Sequence, residues 1–405
     1  MANDSLISQI GGLNTATVDQ TGGVEGNSDI SQDGNDNLAE VTQTENPLPG
    51  SVSFSTPSNV AQISQIGDNT RARIEQNSTD PGEGSNVASI SQNSNGTAQV
   101  PPDGIPSGFT LNGRIVQNGV ENISTITQSG NPNQPPNDGL GSGVTARNDQ
   151  TGNANVSDIT QNVFAQDANP FSDVNVAQTG DENLSTVRQR GSAALVNVTQ
   201  NGVGNISDVR QAAASEMTAD VIQNGDDNES IVDQVARTVT ATVNQSGTSQ
   251  FSEVTQGAQS RESTATVIQS NDNNSSFITQ TNTSSMAMVT QSGVDGLSTI
   301  TQSDGRDASA TLLQSGLGNE NIISQSGDDQ MAMVTQDGDM NLSTIMQSDD
   351  NQMATVLQSS NNNTSSITQS GLGAGNTAMV SQVVTSGNTS TITQSGTGNS
   401  ATVSQ

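Results

Sequence analysis

Few kinds of side chain in this sequence could do chemistry. Adjacent carboxylates occur at Asp226–Asp227 and at Asp349–Asp350. Such pairs can act as an acid–base dyad or offer oxygen ligands to a divalent cation. The chain has no His and no Cys, so the common nucleophile–base pairs and thiol chemistry are missing. Both acid pairs lie in short Asn/Gly/Ser stretches and read as solvated turns. Neither the repeat ladder of calcium-binding β-rolls nor an EF-hand loop accompanies them. The expectation is a protein that is not an enzyme, has no cofactor, and associates with Ca²⁺ only weakly and unspecifically at its acidic turns.

Side-chain amides are far more abundant, and their chemistry is hydrogen bonding. With Gln taken as position 0, 32 glutamines from Gln9 to Gln405 share one frame. Position −2 is Val, Ile or Leu in 31 of them, with Asn148 as the exception; position −4 is small and position −6 is often Asn. No charged residue stands at 0, −2, −4 or −6. The frame picks out a ladder of amides at Gln291, Gln302, Gln314, Gln325, Gln336, Gln347, Gln358 and Gln369, with Asn341, Asn363, Asn376, Asn388 and Asn399 beside it.

A two-residue alternation is the period of a β-strand, so the charge-free set faces an interior and the odd positions face out. Connections such as QNGDDN (223–228) and QTGDEN (178–183) carry the Gly, Asn and Asp of tight turns. From Ala219 the −4 residue alternates Ala219, Ser230, Ala241, Ser252 and onward, broken at Asn321. The unit is therefore strand–turn–strand–turn, too small to bury itself, and stacked copies must share a core. The expected fold is all-β: a two-sheet parallel, cross-β solenoid of about 34 strands in about 17 strand-turn-strand coils, one structure over 1–405. Stacking puts Ala over Ala, Ser over Ser and Gln over Gln, and lets amides bond along the stack.

Pro/Gly-rich stretches interrupt the rhythm near 44–58, 93–112, 129–145 and 162–173 and read as loop insertions; SVSFS (51–55) is a candidate degenerate strand within the first. The most regular part is 178–405. On the outer face, Ile268, Met288, Leu313, Met333, Leu357 and Met379 form a staggered apolar stripe, a candidate lateral contact between copies. The serine-type strands show no comparable order on their outer face. They do carry outward Thr pairs, Thr125/Thr127, Thr299/Thr301 and Thr391/Thr393, which frame an alternative function as an ice-binding or surface-adhesin solenoid.

Composition agrees with a repeat structure. Aromatic residues make up 1% and hydrophobic residues 29% of the 405, too little for conventional globular cores. The net charge of −31 argues against nucleic acid and anionic membranes as partners, and no apolar run reaches membrane-spanning length. The opening MANDSLISQI lacks the basic and apolar regions of a secretory signal, so an exported form is expected to be a mature chain.

The spacings N-x-A-x-V-x-Q, as in Asn14–Gln20, and Q-x-G-x-x-N, as in Gln200–Asn205, resemble the curlin repeat of bacterial curli fibres. The resemblance covers nearly the whole chain. It implies an extracellular subunit of a functional amyloid at the cell surface, used in biofilm matrix and adhesion. A nucleator and secretion machinery are candidate further partners under this resemblance. The last strand, SATVSQ, has nothing after it; matching uncapped ends predict a partner that is another copy of the chain, added head to tail in an open filament.

Overall fold

The computed structural model describes residues 3–22, 26–45, 59–78, 85–94, 110–131, 143–164, 172–191, 193–212, 216–371, 373 and 375–405. Among them are 32 strands, from Asp4–Ile10 to Ser400–Ser404, and no helix. Each strand carries or directly precedes one of the 32 framed glutamines. Within each of two compact units, successive strands alternate between two sheets, so hydrogen-bonded neighbours are every second strand. All ladders are parallel and in register, with Gln opposite Gln and the aliphatic −2 opposite its counterpart, as in Val267↔Val289 and Gln269↔Gln291. This is the two-sheet parallel β-solenoid that the period predicts.

The chain falls into two compact units, Met1–Glu216 and Met217–Gln405. In the first, eight strands from Asp4–Ile10 to Ile206–Gln211 form one sheet, and seven from Thr15–Thr21 to Ala194–Asn201 form the other. In the second, eight strands from Glu229–Gln234 to Thr389–Ser395 form one sheet, and nine from Met217–Asp226 to Ser400–Ser404 form the other. We name them the serine and the alanine sheet, in that order, after their commonest −4 residue. In the first unit the pattern loosens: Ala61 and Ala88 stand in the serine sheet, and Gly113, Val174 and Val196 in the alanine sheet.

The 32 strands make sixteen coils, one fewer than the expected value of about 17. The long interval between Gln43 and Gln65 adds no strand to either sheet: Asn27–Asp33 pairs directly with Val60–Ile66, and Leu38–Glu45 with Arg71–Ser78. The segment SVSFS (51–55) lies outside the described residues. So do the centres of all four expected loops, while their margins are strand. Val87–Ser94 and Ile123–Asn131 run into them from one side, and Gly143–Thr151 and Ser172–Thr179 begin within them on the other.

Burial follows the two-residue period. In Met286–Gln291, Ala287, Val289 and Gln291 are buried while Met288 and Thr290 are partly exposed. The interior therefore consists of small residues, aliphatics and amides. Its one charged member among the described residues is Glu45, two places beyond Gln43; a carboxylate oxygen accepts from the backbone N–H of Asn59 at 3.3 Å. Turns close through left-handed residues just before the Asn position, such as Asp36, Glu182 and Asp329. Glycine is required where turns stack most closely: a Cβ on Gly152, at φ +116°, would lie 2.0 Å from the carbonyl oxygen of Gly180.

Inside and outside are separable by mutation. Val289→Asp puts an unpaired carboxylate between the sheets and should destabilise by roughly 3 kcal/mol or more. Thr290→Asp, on the next residue but facing out, should cost on the order of 0.5 kcal/mol. Thermal melts of the two variants give the comparison, and equal losses would contradict the assignment of faces.

Candidate functional site

The predicted glutamines separate into two ladders. Gln291, Gln314, Gln336 and Gln358 lie in the alanine sheet; Gln302, Gln325, Gln347 and Gln369 lie in the serine sheet. All eight are buried. In each ladder the Nε2 of one glutamine donates to the Oε1 of the next: Gln291 to Gln314 at 2.9 Å, Gln314 to Gln336 at 2.7 Å, Gln302 to Gln325 at 2.9 Å, and Gln325 to Gln347 at 3.0 Å. The same sense holds from Gln9 to Gln32 in the first unit and through Gln382 to Gln405 in the second.

The second N–H of each amide crosses to the facing sheet. Gln291 donates to the carbonyl of Ser275 at 3.2 Å, Gln325 to that of Ser309 at 3.0 Å, and Gln347 to that of Met331 at 2.9 Å. One side chain thus satisfies the stack and ties the two sheets together. Glutamine has the reach for both bonds from position 0; a shorter side chain there would not cross.

The predicted asparagines divide between opposite edges. Asn341, Asn363 and Asn388 precede serine-sheet strands, and Asn376 and Asn399 precede alanine-sheet strands. Their side-chain oxygens accept backbone N–H groups from the coil stacked above: Asn363 N–H to Asn341 Oδ1 at 2.9 Å, Asn388 N–H to Asn363 Oδ1 at 3.0 Å, and Asn399 N–H to Asn376 Oδ1 at 2.9 Å. Asn341, Asn363 and Asn376 are buried; Asn388 is partly exposed and Asn399 exposed, since both belong to the last coil of the second unit. The sequence reading missed Gln330 and Gln352, which hold the same place in the alanine-sheet column. Gln352 Oε1 accepts the Asn376 N–H at 3.2 Å. An amide at −6 was the available signal.

Of the two acid pairs, Asp349–Asp350 caps turns, while Asp226 ends the strand Met217–Asp226. An oxygen of Asp349 accepts the Gly371 N–H at 2.8 Å, and one of Asp350 accepts the Asp328 N–H at 3.0 Å. Among the described residues no three metal-ligating side chains converge. Arginines pair with acids on outer faces, as Arg114 does with Asp149 at 3.1 Å and Arg188 with Asp208 at 3.2 Å. Burial pushes the Asp220 carboxyl above its usual range. The folded state therefore holds that proton more tightly than the unfolded chain, so this group favours folding increasingly as pH falls through the raised value.

The stripe residues sit together as the frame predicts. Ile268, Leu313 and Leu357 alternate with Thr290 and Thr335 in one outer column of the alanine sheet; Met288, Met333 and Met379 alternate with Thr311 and Thr355 in the next. Met333 is 45% and Leu313 44% exposed. A third column went unseen in the sequence reading: Met286, Met331 and Met353, also exposed, at position −5. The repeated MAMVTQ carried that signal. The serine face is more ordered than expected. In the first unit Val60, Val87, Ile123, Val156, Leu184 and Ile206 form an unbroken outward column. The Thr pairs form no such array: Thr125/Thr127 are flanked by Ser89/Ser91 and Asp158/Thr160, and Thr299/Thr301 by Phe277/Thr279 and Ile322/Ser324.

Residues 305–338 match the family model of the curlin associated repeat. The matched segment holds the strands Ser309–Gln314, Glu320–Ser326 and Met331–Gln336, one full coil and the first strand of the next. Strands of that segment pair in register, glutamine opposite glutamine, with neighbouring strands of its unit. No curated protein matches the chain.

The amide ladder should be sensitive to protonation when a carboxyl replaces it. Gln302 accepts from Gln280, and its two N–H groups serve Gln325 at 2.9 Å and the carbonyls of Met286 at 2.9 Å and Ala308 at 3.2 Å, one N–H being shared. Gln302→Ala should cost about 2 kcal/mol through unsatisfied neighbours. Gln302→Glu should cost more, about 3 kcal/mol or above at pH 7, because it buries an unpaired charge and removes the donors. Its deficit should shrink as pH falls and the carboxyl regains a proton, which melting curves recorded against pH would reveal.

Proposed function

We propose that this chain is a structural subunit of an extracellular curli-like fibre of the biofilm matrix and adhesion type, built by head-to-tail stacking. One observation carries the reading: every glutamine ladder runs in one direction, in register with parallel strands. A ladder of this kind offers N–H donors at one side and carbonyl acceptors at the other, so it continues only when a further coil is added in the same sense. A contact between unlike, complementary faces that does not close produces an open filament. The curlin associated repeat at 305–338 supports the same reading. Export to the cell surface, a nucleating partner and lateral bundling through the alanine-sheet stripe belong to this proposal.

Purified protein left to assemble should give filaments with a meridional spacing near ~4.8 Å and amyloid-dye binding. A monomer that stays monomeric at high concentration would overturn the reading. If growth proceeds by stacking onto strand Ser400–Ser404, which pairs with Thr377–Gln382, Thr402→Pro with Val403→Lys should stop elongation at one filament end and leave the other growing.

Bundling has its own test. Replacing Ile268, Met288, Leu313, Met333, Leu357 and Met379 together by Thr should yield single thin filaments in micrographs. Unchanged bundles would remove the stripe from the proposal and leave the head-to-tail contact standing.

A further inference from the structure

Position −4 of the serine sheet poses a hydrogen-bonding problem that the amide ladders solve at Ser28, whose hydroxyl accepts from Gln20 Nε2 at 2.8 Å, but not along the rest of the column. In the second unit all seven serines there, from Ser230 to Ser390, are buried, and none of their hydroxyls has a hydrogen-bond partner. Asn321 occupies the same column between Ser298 and Ser343, and both of its amide atoms lack partners. Ser157, Ser185 and Ser207 of the first unit are alike. The column cannot satisfy itself. Stacked hydroxyls repeat every ~4.8 Å, whereas a hydroxyl bond spans about 2.8 Å.

The residue across the interior supplies a second, independent observation. Position −4 of one sheet meets position −2 of the other: Asn148 Nδ2 reaches Ser124 Oγ, and a Cβ on Gly113 would lie 3.0 Å from Ile90 Cγ2. The Gln-to-carbonyl bonds that set this phase recur in both units, from Gln161 to Thr145 and from Gln280 to Thr264. So Ser157 faces Val176, Ser276 faces Val289 and Ser343 faces Val356. Where the serine sheet carries alanine instead, at Ala61 and Ala88, the facing residues are Ile74 and Ile115. Serine and alanine fill nearly the same space, while valine is one methylene smaller than isoleucine. Each Ser–Val layer is therefore short by about one methylene relative to an Ala–Ile layer, close to the share of one water, roughly 30 Å³.

We propose that the serine column binds a single file of water, one molecule per coil interval, each bridging the hydroxyls of two stacked serines. Two bonds of about 2.8 Å to oxygens ~4.8 Å apart enclose an angle of about 120°, close to the tetrahedral preference of water. The file supplies for serine what the amide ladder supplies for glutamine: a chain of hydrogen bonds matched to the coil repeat. It is absent where Ala61 and Ala88 face isoleucine, at Ser124, whose hydroxyl Asn148 occupies, and at Ser28, whose hydroxyl Gln20 occupies. It is interrupted beside Ser298, where Leu312 replaces valine across the interior.

A diffraction or electron cryomicroscopy map of the full chain, at a resolution that shows ordered water, tests this directly. The expected result is one peak between each pair of stacked serine hydroxyls in the run from Ser230 to Ser276, and none beside Ala61 and Ala88. A serine column without peaks overturns the proposal, as do peaks spread equally along the alanine column. The double variant Ser276→Ala, Val289→Ile substitutes a methylene for the water. It should remove only the peaks at that coil and leave the melting temperature within a few degrees. Persistence of those peaks would also overturn the assignment. Should the variant fail to fold, the map of the unmodified chain decides alone.

Discussion

The structure depends on one length, the ~4.8 Å repeat between hydrogen-bonded strands. Every buried polar group must find its partner at that spacing or across the interior. A primary amide meets the requirement almost unaided. Its oxygen and nitrogen are about 2.3 Å apart, and a hydrogen bond of about 2.9 Å, slightly tilted, completes the repeat. The distances of 2.6 to 3.1 Å along the glutamine ladders show the match sustained through both units. Aligned amides polarise one another, so the ladder also gives the stack a direction. A hydroxyl has one heavy atom and misses the repeat, which is why the serine column stands apart.

The second constraint is the distance between sheets. With so little aromatic or leucine content, the interior is filled by setting a small −4 residue against an aliphatic −2 residue of the facing sheet. Gly113 packs against Ile90, and Ala61 and Ala88 face Ile74 and Ile115. The arrangement tolerates change when both partners change. Asn148, the one −2 position without an aliphatic side chain, is accommodated because Ser124 meets its amide. Charge is left to outer faces and turns, where carboxylates such as Asp349 and Asp350 cap the backbone N–H groups of neighbouring coils. The acidity that could suggest catalysis thus serves the connections.

The interior frame was legible because the chain repeats it. A single N-x-A-x-V-x-Q would say little, but a charge-free alternation through 32 strands leaves one geometry open. The amides of Gln291 to Gln369 could be placed for the same reason. The coil count was less legible: a long proline-bearing interval such as Gln43 to Gln65 reads equally as a loop or as a degenerate strand, and only the direct pairing of Asn27–Asp33 with Val60–Ile66 decides. The outer surface was legible in part. The staggered stripe followed from positions −1 and −3, whereas Met286, Met331 and Met353 were missed at −5.

The sequence by itself determined strand, face and stack, because period two, the absence of charge inside and the repeat of identical residues each admit one solution. It also determined that polar side chains would fill the core. Three things were decided only by the tertiary structure. It set what each asparagine bonds, since the oxygen of Asn341 accepts the backbone N–H of Asn363 in the next coil. It set what each −4 residue faces, since that depends on the phase between antiparallel strands across the interior. And it set the common direction of the amides, which no composition or spacing encodes, because a ladder satisfies each glutamine equally well in either sense until backbone carbonyls such as Ser275 and Met331 fix where the second N–H must point.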